Sequence, residues 1–374
     1  MANQVPRIVL SGGVSGGHTY PLVAVARVLR KRYPQGIELL FLGGGGVFEE
    51  TAMKAEGIPM KRVLYGKMRR YFSFLNYLDF FKLPIGIVQA LWHLLLFMPD
   101  VVFSKGGAAS VPVVLAARFY RIPVLIHDSD SVAGRANSWL GKWVQKVAIA
   151  YPSAAQYFPA GKTALTGNPV REEIFSGSRD RSKERFGLDP KKKTIVLFGG
   201  SQGAHGLNNA FLRILPLLLT RGVQVIHQTG SNHLKGVLAI AAELGVPTEN
   251  GSYHPIDFLS AEEMGDALAS ADVVISRAGA GSIAEVAACR KALVLVPLPS
   301  AANDEQRKNA YDIAEIGGAL VLEEANLGEH LFLENLENLI NNDGLRTEMG
   351  EKLHVFYHSD AAELIADGLI DLMV

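Results

Sequence analysis

The chain has a single cysteine, Cys289, in 374 residues. One thiol builds neither a disulfide framework nor a cysteine-based zinc site, which fits a reducing cytoplasm. Neither sign of charge is in excess: 37 basic residues stand against 37 acidic ones. A general nucleic-acid binder shows a basic excess, so that class is argued against. The start, MANQVPRIVL, lacks the basic and then apolar pattern of a signal peptide and runs straight into a strand-like segment. No stretch reads as a membrane span. The apolar run LPIGIVQALWHLLLFM covers about sixteen residues and is broken by Gln89 and His93, whereas a spanning helix needs roughly 20 apolar residues.

What is there is a soluble-type composition, 48% hydrophobic and 20% charged, at a length that suits two domains. Short apolar runs alternate with helix-length amphipathic stretches. The runs at 7–10, 38–42, 100–103, 123–126 and 146–150 read as buried parallel strands, and so do those at 194–198, 224–228, 272–275, 292–297 and 319–322. The alternation predicts an α/β chain with one doubly wound domain on each side of a break near 167–193. That break holds NPVREE and then the charged run RDRSKERFGLDPKKK, read as an interdomain connection and a solvated lead-in. The expected domains are 1–168 and 169–357. Between 68 and 98 the pattern departs from this alternation. Arg69, Arg70 and Lys82 stand among Tyr71, Phe72, Phe74, Tyr77, Phe80, Phe81 and Trp92. Two readings fit: a surface that lies on anionic lipid, or a core helix with an ordinary loop.

Glycine is abundant, at 38 residues, and clustered. SGGVSGGH (11–18), SKGGAAS (104–110) and GGSQGAHGLN (199–208) each follow a predicted strand and open a predicted helix. A helix start offers unpaired N–H groups and a partial positive charge, which suit a phosphate or diphosphate. None of the three is a P-loop, and GGVSGGH lacks the spacing of the dinucleotide fingerprint. A fourth junction, SRAGAGSIAEVAA (276–288), carries Glu285 about one turn into its helix, where a carboxylate can accept two hydrogen bonds from a ribose diol. The polar stretch VPLPSAANDEQRKNA (296–310) follows, with Gln306 as a candidate for a sugar hydroxyl.

Taken together and in this order, GGVSGGH with Pro21 after it, SKGGAASVP, HDSDSVAGRAN, TGNPVR, GGSQGA, HQTG, SRAGAGSIAE and DEQRKNA resemble the MurG family of bacterial glycosyltransferases. The resemblance runs from Gly12 to about Asn309. It implies the GT-B fold, two Rossmann-like domains facing across a cleft, with a last helix, 361–372, returning to the first. It implies an inverting transfer of N-acetylglucosamine from UDP-N-acetylglucosamine to the muramoyl-pentapeptide on undecaprenyl pyrophosphate. The enzyme would lie against the cytoplasmic face of the inner membrane.

Carried over by motif, His18 would be the general base, with Ser15, Gly16 and Gly17 in its loop. Asp130 would meet the sugar or acceptor, and Arg171 and Ser201 the donor diphosphate. Met264 would contact uracil through its backbone. Ala280, Gly281, Ser282, Ile283, Ala284 and Glu285 would form the α-phosphate and ribose site, and Gln306 would bind the sugar. No metal or other cofactor is expected, although Asp128-Ser129-Asp130 has the Asp-x-Asp form that holds a divalent cation in another transferase fold. The chain departs from the family pattern at Val14, usually Gly, at Ser15, usually Thr, in HDSD, and at Glu305. A related lipid glycosyltransferase and a non-catalytic UDP-sugar-binding protein are the alternative readings.

Overall fold

Short apolar runs between glycines can bury both faces only inside a sheet covered by helices on each side. The computed structural model, which describes residues 5–13, 16–66, 75–200, 203–248 and 251–373, contains two such sheets. The first has β1 (Arg7–Ser11), β2 (Glu38–Gly43), β3 (Met60–Arg62), β4 (Val101–Ser104), β5 (Val124–Asp128), β6 (Lys146–Ile149) and β7 (Thr163–Leu165), in the order 3-2-1-4-5-6-7. The second has β8 (Lys193–Phe198), β9 (Val223–Gln228), β10 (Tyr253–Ile256), β11 (Val273–Ser276), β12 (Ala292–Leu295) and β13 (Leu320–Val321), in the order 10-9-8-11-12-13. All the pairings are parallel. Both orders reverse direction once, between β1 and β4 and between β8 and β11. At such a switch point neighbouring connections leave in opposite directions and open a crevice at the strand C-termini.

Two compact units hold these sheets: Met1–Val170 with His358–Val374, and Arg171–Tyr357. The chain thus passes between them after Val170, where the sequence reading placed the division after residue 168, and again after Tyr357. The last helix, Ala361–Met373, buries Ile365, Ala366 and Leu369 in the first unit's core beside Ile8, Leu10, Val101 and Phe103. Lys146 Nζ to Asp371 at 2.9 Å and an Arg32–Asp367 pair fasten its outer face. The second core gathers Ile195, Leu197, Phe211, Leu215, Val273, Val294 and Phe332.

The charged run after Ser178 is largely exposed, as a solvated lead-in should be, but it is folded: it forms the helix Arg179–Phe186, which belongs to the second unit and is no connection between the two. Ser178 caps its start and Gly187, at φ +64°, ends it. Arg181 donates at 2.8 Å to the fully buried Asp266, and Ser182 bonds Ser270 at 2.9 Å. An unpaired buried carboxylate is costly, so Asp266 holds the basic helix in place.

In the 68–98 region, residues 67–74 and the side chains of Tyr77 and Phe80 lie outside the description. The helix Leu75–Phe97 follows. Its inward positions are small or spaced for packing: Gly86, Ala90 and Leu94. The Gly86 Cα approaches the Leu64 carbonyl so closely that a Cβ would lie 1.8 Å from the oxygen. The outward positions are the large ones: Phe81, Ile85, Val88, Trp92, Leu95 and Leu96 are all exposed. No helix among the described residues is long and apolar enough to cross a membrane.

Candidate active site

All four glycine junctions fall at the two switch points, each in its own unit. In the first unit, β1 runs into Gly12–Gly13 and β4 into Lys105-Gly106-Gly107. Gly107, at φ +84°, comes so close to Gly13 that a Cβ on it would lie 3.2 Å from the Gly13 Cα. A Cβ on Gly13 would in turn touch the His18 ring at 3.1 Å. The absence of both side chains therefore makes a slot that holds an imidazole ring. His18 is half-buried in it, in the first turn of the helix Gly16–Arg32. Its Nδ1 lies 3.3 Å from the Lys105 carbonyl oxygen, which can only accept. Nδ1 thus carries the proton and Nε2 is the basic nitrogen. Burial, and then the Lys105 ammonium, lower the His18 pKa to about 4.

Gly16 packs against Phe48 and Tyr20, whereas Gly17 is exposed and borders open space. Val14 and Ser15 lie outside the described residues. Asp130 is half-buried in the loop after β5, and with Asp128 it opposes the lowering of the Lys105 pKa that burial causes. Asp128 itself is a structural group. Its two oxygens accept from Gly134 N at 3.1 Å, Asn137 Nδ2 at 2.9 Å and Asp130 N at 3.3 Å.

In the second unit, β8 runs into Gly199–Gly200 and β11 into Arg277-Ala278-Gly279. Ser201 lies outside the described residues. The helix Ala280–Ala288 starts at Gly279 with no side-chain cap, and its first N–H groups meet no acceptor among the described residues. A Cβ on Gly279 or Gly281 would meet nothing within 4 Å. Ser282 is half-buried, Ala280, Ile283 and Ala284 sit in the core, and the Ile283 N–H already bonds the Gly279 carbonyl at 3.0 Å.

Arg171 and Glu285, far apart in sequence, meet in this unit: Nε donates to Oε1 at 2.7 Å, and the two side chains are only 9% and 12% exposed. Gln306 accepts the Leu298 N–H at 3.1 Å through Oε1. It follows two consecutive left-handed residues, Asn303 at φ +55° and Asp304 at φ +59°. Strain of this kind in non-glycine residues collects at ligand sites. Asn309, in the same helix as Gln306, bonds the Ala278 carbonyl at 3.2 Å and so ties that helix to the β11 junction. Met264 is buried, and its N–H serves its own helix through Ser260 O at 2.9 Å.

Sequence reasoning assigned no role to two of the buried cations, Lys105 and Arg277. Ser104-Lys105 and Ser276-Arg277 close β4 and β11 in the same way, a buried serine followed by a buried cation. Their signal was position: the residue just past a buried parallel strand stays buried, and only a charge with a task is kept there. Arg277 is well partnered, by the Val296 and Pro297 carbonyls at 3.1 and 3.2 Å and by Glu324. The Lys105 ammonium has one hydrogen bond among the described residues, Nζ to Ser129 Oγ at 2.9 Å.

Comparison with known proteins agrees with this layout. The model of the glycosyltransferase family 28 N-terminal domain matches residues 8–149, and that of the C-terminal domain matches 194–365. A Bacillus subtilis protein named UDP-N-acetylglucosamine–N-acetylmuramyl-(pentapeptide) pyrophosphoryl-undecaprenol N-acetylglucosamine transferase is 34% identical over 98% of this chain and 99% of its own. Its Bacillus licheniformis namesake is 35% identical over 98% of each. Among solved structures, Acinetobacter baumannii MurG superposes with a TM-score of 0.75 at 28% identity, over 98% of this chain and 99% of that one. A UDP-GlcNAc 2-epimerase from Neisseria meningitidis shares the fold alone, at 14% identity and a TM-score of 0.69 over 98% of this chain and all of that one. On full-length identity and on both domain models, the chain belongs to the MurG family of glycosyltransferase family 28.

Proposed function

We propose that this protein transfers N-acetylglucosamine from UDP-N-acetylglucosamine to the C4 hydroxyl of the muramoyl sugar on undecaprenyl-pyrophosphoryl-MurNAc-pentapeptide, a step of peptidoglycan synthesis. The observation that carries the reading is identity to named transferases of that reaction over nearly the whole length of both chains. Two diphosphates must be held, one on the acceptor and one on the donor, and the molecule has two glycine-lined switch points, one per unit.

In the first unit, His18 Nε2 takes the proton from the acceptor hydroxyl, with Gly16, Gly17 and Ser15 at the acceptor's diphosphate and Asp130 at its sugar. In the second, the uncapped N–H groups of Ala280, Gly281 and Ser282 receive the α-phosphate. Ile283 and Ala284 complete that turn from the core, and Glu285 takes the ribose diol. Arg171 offsets the charge of the diphosphate, the Ser201 hydroxyl donates to a phosphate oxygen, Met264 meets the uracil through its backbone and Gln306 binds the sugar. The acceptor oxygen attacks the anomeric carbon opposite UDP, the C–O bond to UDP breaks with its electron pair on the diphosphate, and the centre inverts. Positive groups already aimed at that leaving charge lower the barrier without reorganising.

No metal is required in this scheme. The engagement of both Asp128 oxygens by N–H donors, with Lys105 close by, supports that part of the reading. The exposed apolar face of Leu75–Phe97 supports peripheral contact with the membrane that carries the acceptor.

The test is transfer of labelled sugar from UDP-N-acetylglucosamine to a short-chain prenyl-diphosphate muramoyl-pentapeptide. We expect turnover, a β-linked product, and rates within twofold with and without EDTA. No transfer from any UDP-sugar would refute the function, and abolition by EDTA would refute the metal-free scheme.

A further inference from the structure

A base with a pKa of about 4 is weak at neutral pH, and efficient proton transfer wants a value nearer the working pH. The residue that holds it low is also the residue that orients it. Lys105 touches His18 in two ways: its carbonyl accepts the Nδ1–H, and its ammonium repels the imidazolium form. Lys105 is only 2% exposed, and among the described residues its ammonium uses one of its three N–H donors, on Ser129 Oγ. Its counterpart at the other switch point, Arg277, is tied down by two carbonyls and a carboxylate. Lys105 is therefore a buried cation with donor capacity left, beside the glycine-lined crevice of the acceptor unit.

We propose that Lys105 is a positioning residue that couples acceptor docking to catalysis: its ammonium takes the anionic diphosphate of the acceptor, and this releases His18 to act as a base only when the acceptor is bound. The inference rests on the transferase reading above.

The charges facing the pair come from three elements. Asp128 and Asp130 on β5 and its loop favour the ammonium, and the neighbouring His127 is buried and stays neutral. His127 Nε2 donates to the Gly167 carbonyl at 2.9 Å, and its pKa lies well below the ordinary value because of burial and then Lys105. His18 itself stands on the helix Gly16–Arg32. With the crevice empty, a proton on His18 would place an imidazolium next to the ammonium. A bound diphosphate offsets both positive charges. The proton leaving the acceptor hydroxyl then arrives on Nε2 beside a net anion rather than beside a bare cation, and UDP departs with the electron pair of the broken bond.

Two measurements test this. In the wild-type protein, the His18 imidazole is titrated by NMR with and without farnesyl diphosphate as probe. We expect its pKa to rise by about one unit with the probe, a tenfold gain in proton affinity. An unchanged value overturns the proposal without any variant having to fold. In the transfer assay, Lys105→Met is expected to raise the acceptor KM about tenfold and leave the UDP-N-acetylglucosamine KM within twofold. The acidic limb of the kcat/KM profile should move up towards that of kcat, and Lys105→Arg should restore the wild-type separation. An unchanged acceptor KM and profile, or an equal rise in both KM values, overturns the inference. Absence of transfer by the wild-type protein counts against the transferase reading instead.

Discussion

Glu285 gives one carboxylate oxygen to Arg171, and its other oxygen has no partner among the described residues. That is the arrangement a ribose site needs: a carboxylate held in place on one side and open on the other. A charged hydrogen bond is worth ~1.5–3 kcal/mol, so loss of one ribose hydroxyl is expected to weaken binding by roughly 10- to 100-fold. Calorimetry should find UDP bound at least tenfold more tightly than 2′-deoxy-UDP, and in Glu285→Ala the two should bind alike. A preference that survives in the variant would remove Glu285 from the ribose site. At this scale the motifs singled out His18, Arg171 and Glu285, and the structure seats the first between two glycine loops and brings the other two together. The sequence was silent on Lys105 and Arg277, because their burial comes from strands that are distant in sequence. It was also silent on the N–H groups of Ile283 and Met264, already used inside their helices.

The outward-facing stripe of Leu75–Phe97 repeats every three or four residues at 81, 85, 88, 92 and 95, the spacing of one helix face. Solvent is a poor partner for that face, and the core side of the helix is already packed through Gly86, Ala90 and Leu94. Trp92→Glu with Leu96→Glu changes exposed positions only, so stability should move by about 0.5 kcal/mol or less per site. Sedimentation with phosphatidylglycerol-containing vesicles is expected to fall at least tenfold, with turnover on a short-chain soluble acceptor retained. Vesicle binding equal to wild type would assign the stripe another purpose. The same contrast between inside and outside explains which strands could be read in advance. The central strands are continuous apolar runs because both of their faces are covered. The missed strands, β3, β7 and β10, are all edge strands. MKR, TAL and YHPI carry exposed or half-exposed residues and no uninterrupted apolar run. The helix Arg179–Phe186 escaped for a related reason: it buries only Ser182 and Phe186, so no apolar period marks it as a helix.

On the scale of the whole molecule, two units of like topology each bring two glycine junctions to one switch point, and each places its own chemistry there. The first has the His18 imidazole and a buried ammonium; the second has the uncapped helix, the Arg171–Glu285 pair and Gln306. The alternation of apolar runs made this doubling legible, and the glycine clusters marked the strand ends that matter. The strand order that brings those ends together was not legible, since it depends on which parallel strands pair. The account's central claim is this division of labour, with His18 serving the acceptor and the second unit alone holding the donor. The most direct test pairs single-turnover transfer with UDP-N-acetylglucosamine binding in His18→Ala. The account predicts a transfer rate lower by ~10²–10⁴-fold, the usual contribution of a general base, with donor affinity within twofold of wild type. A rate close to wild type, or a donor affinity that falls in step with the rate, would contradict it.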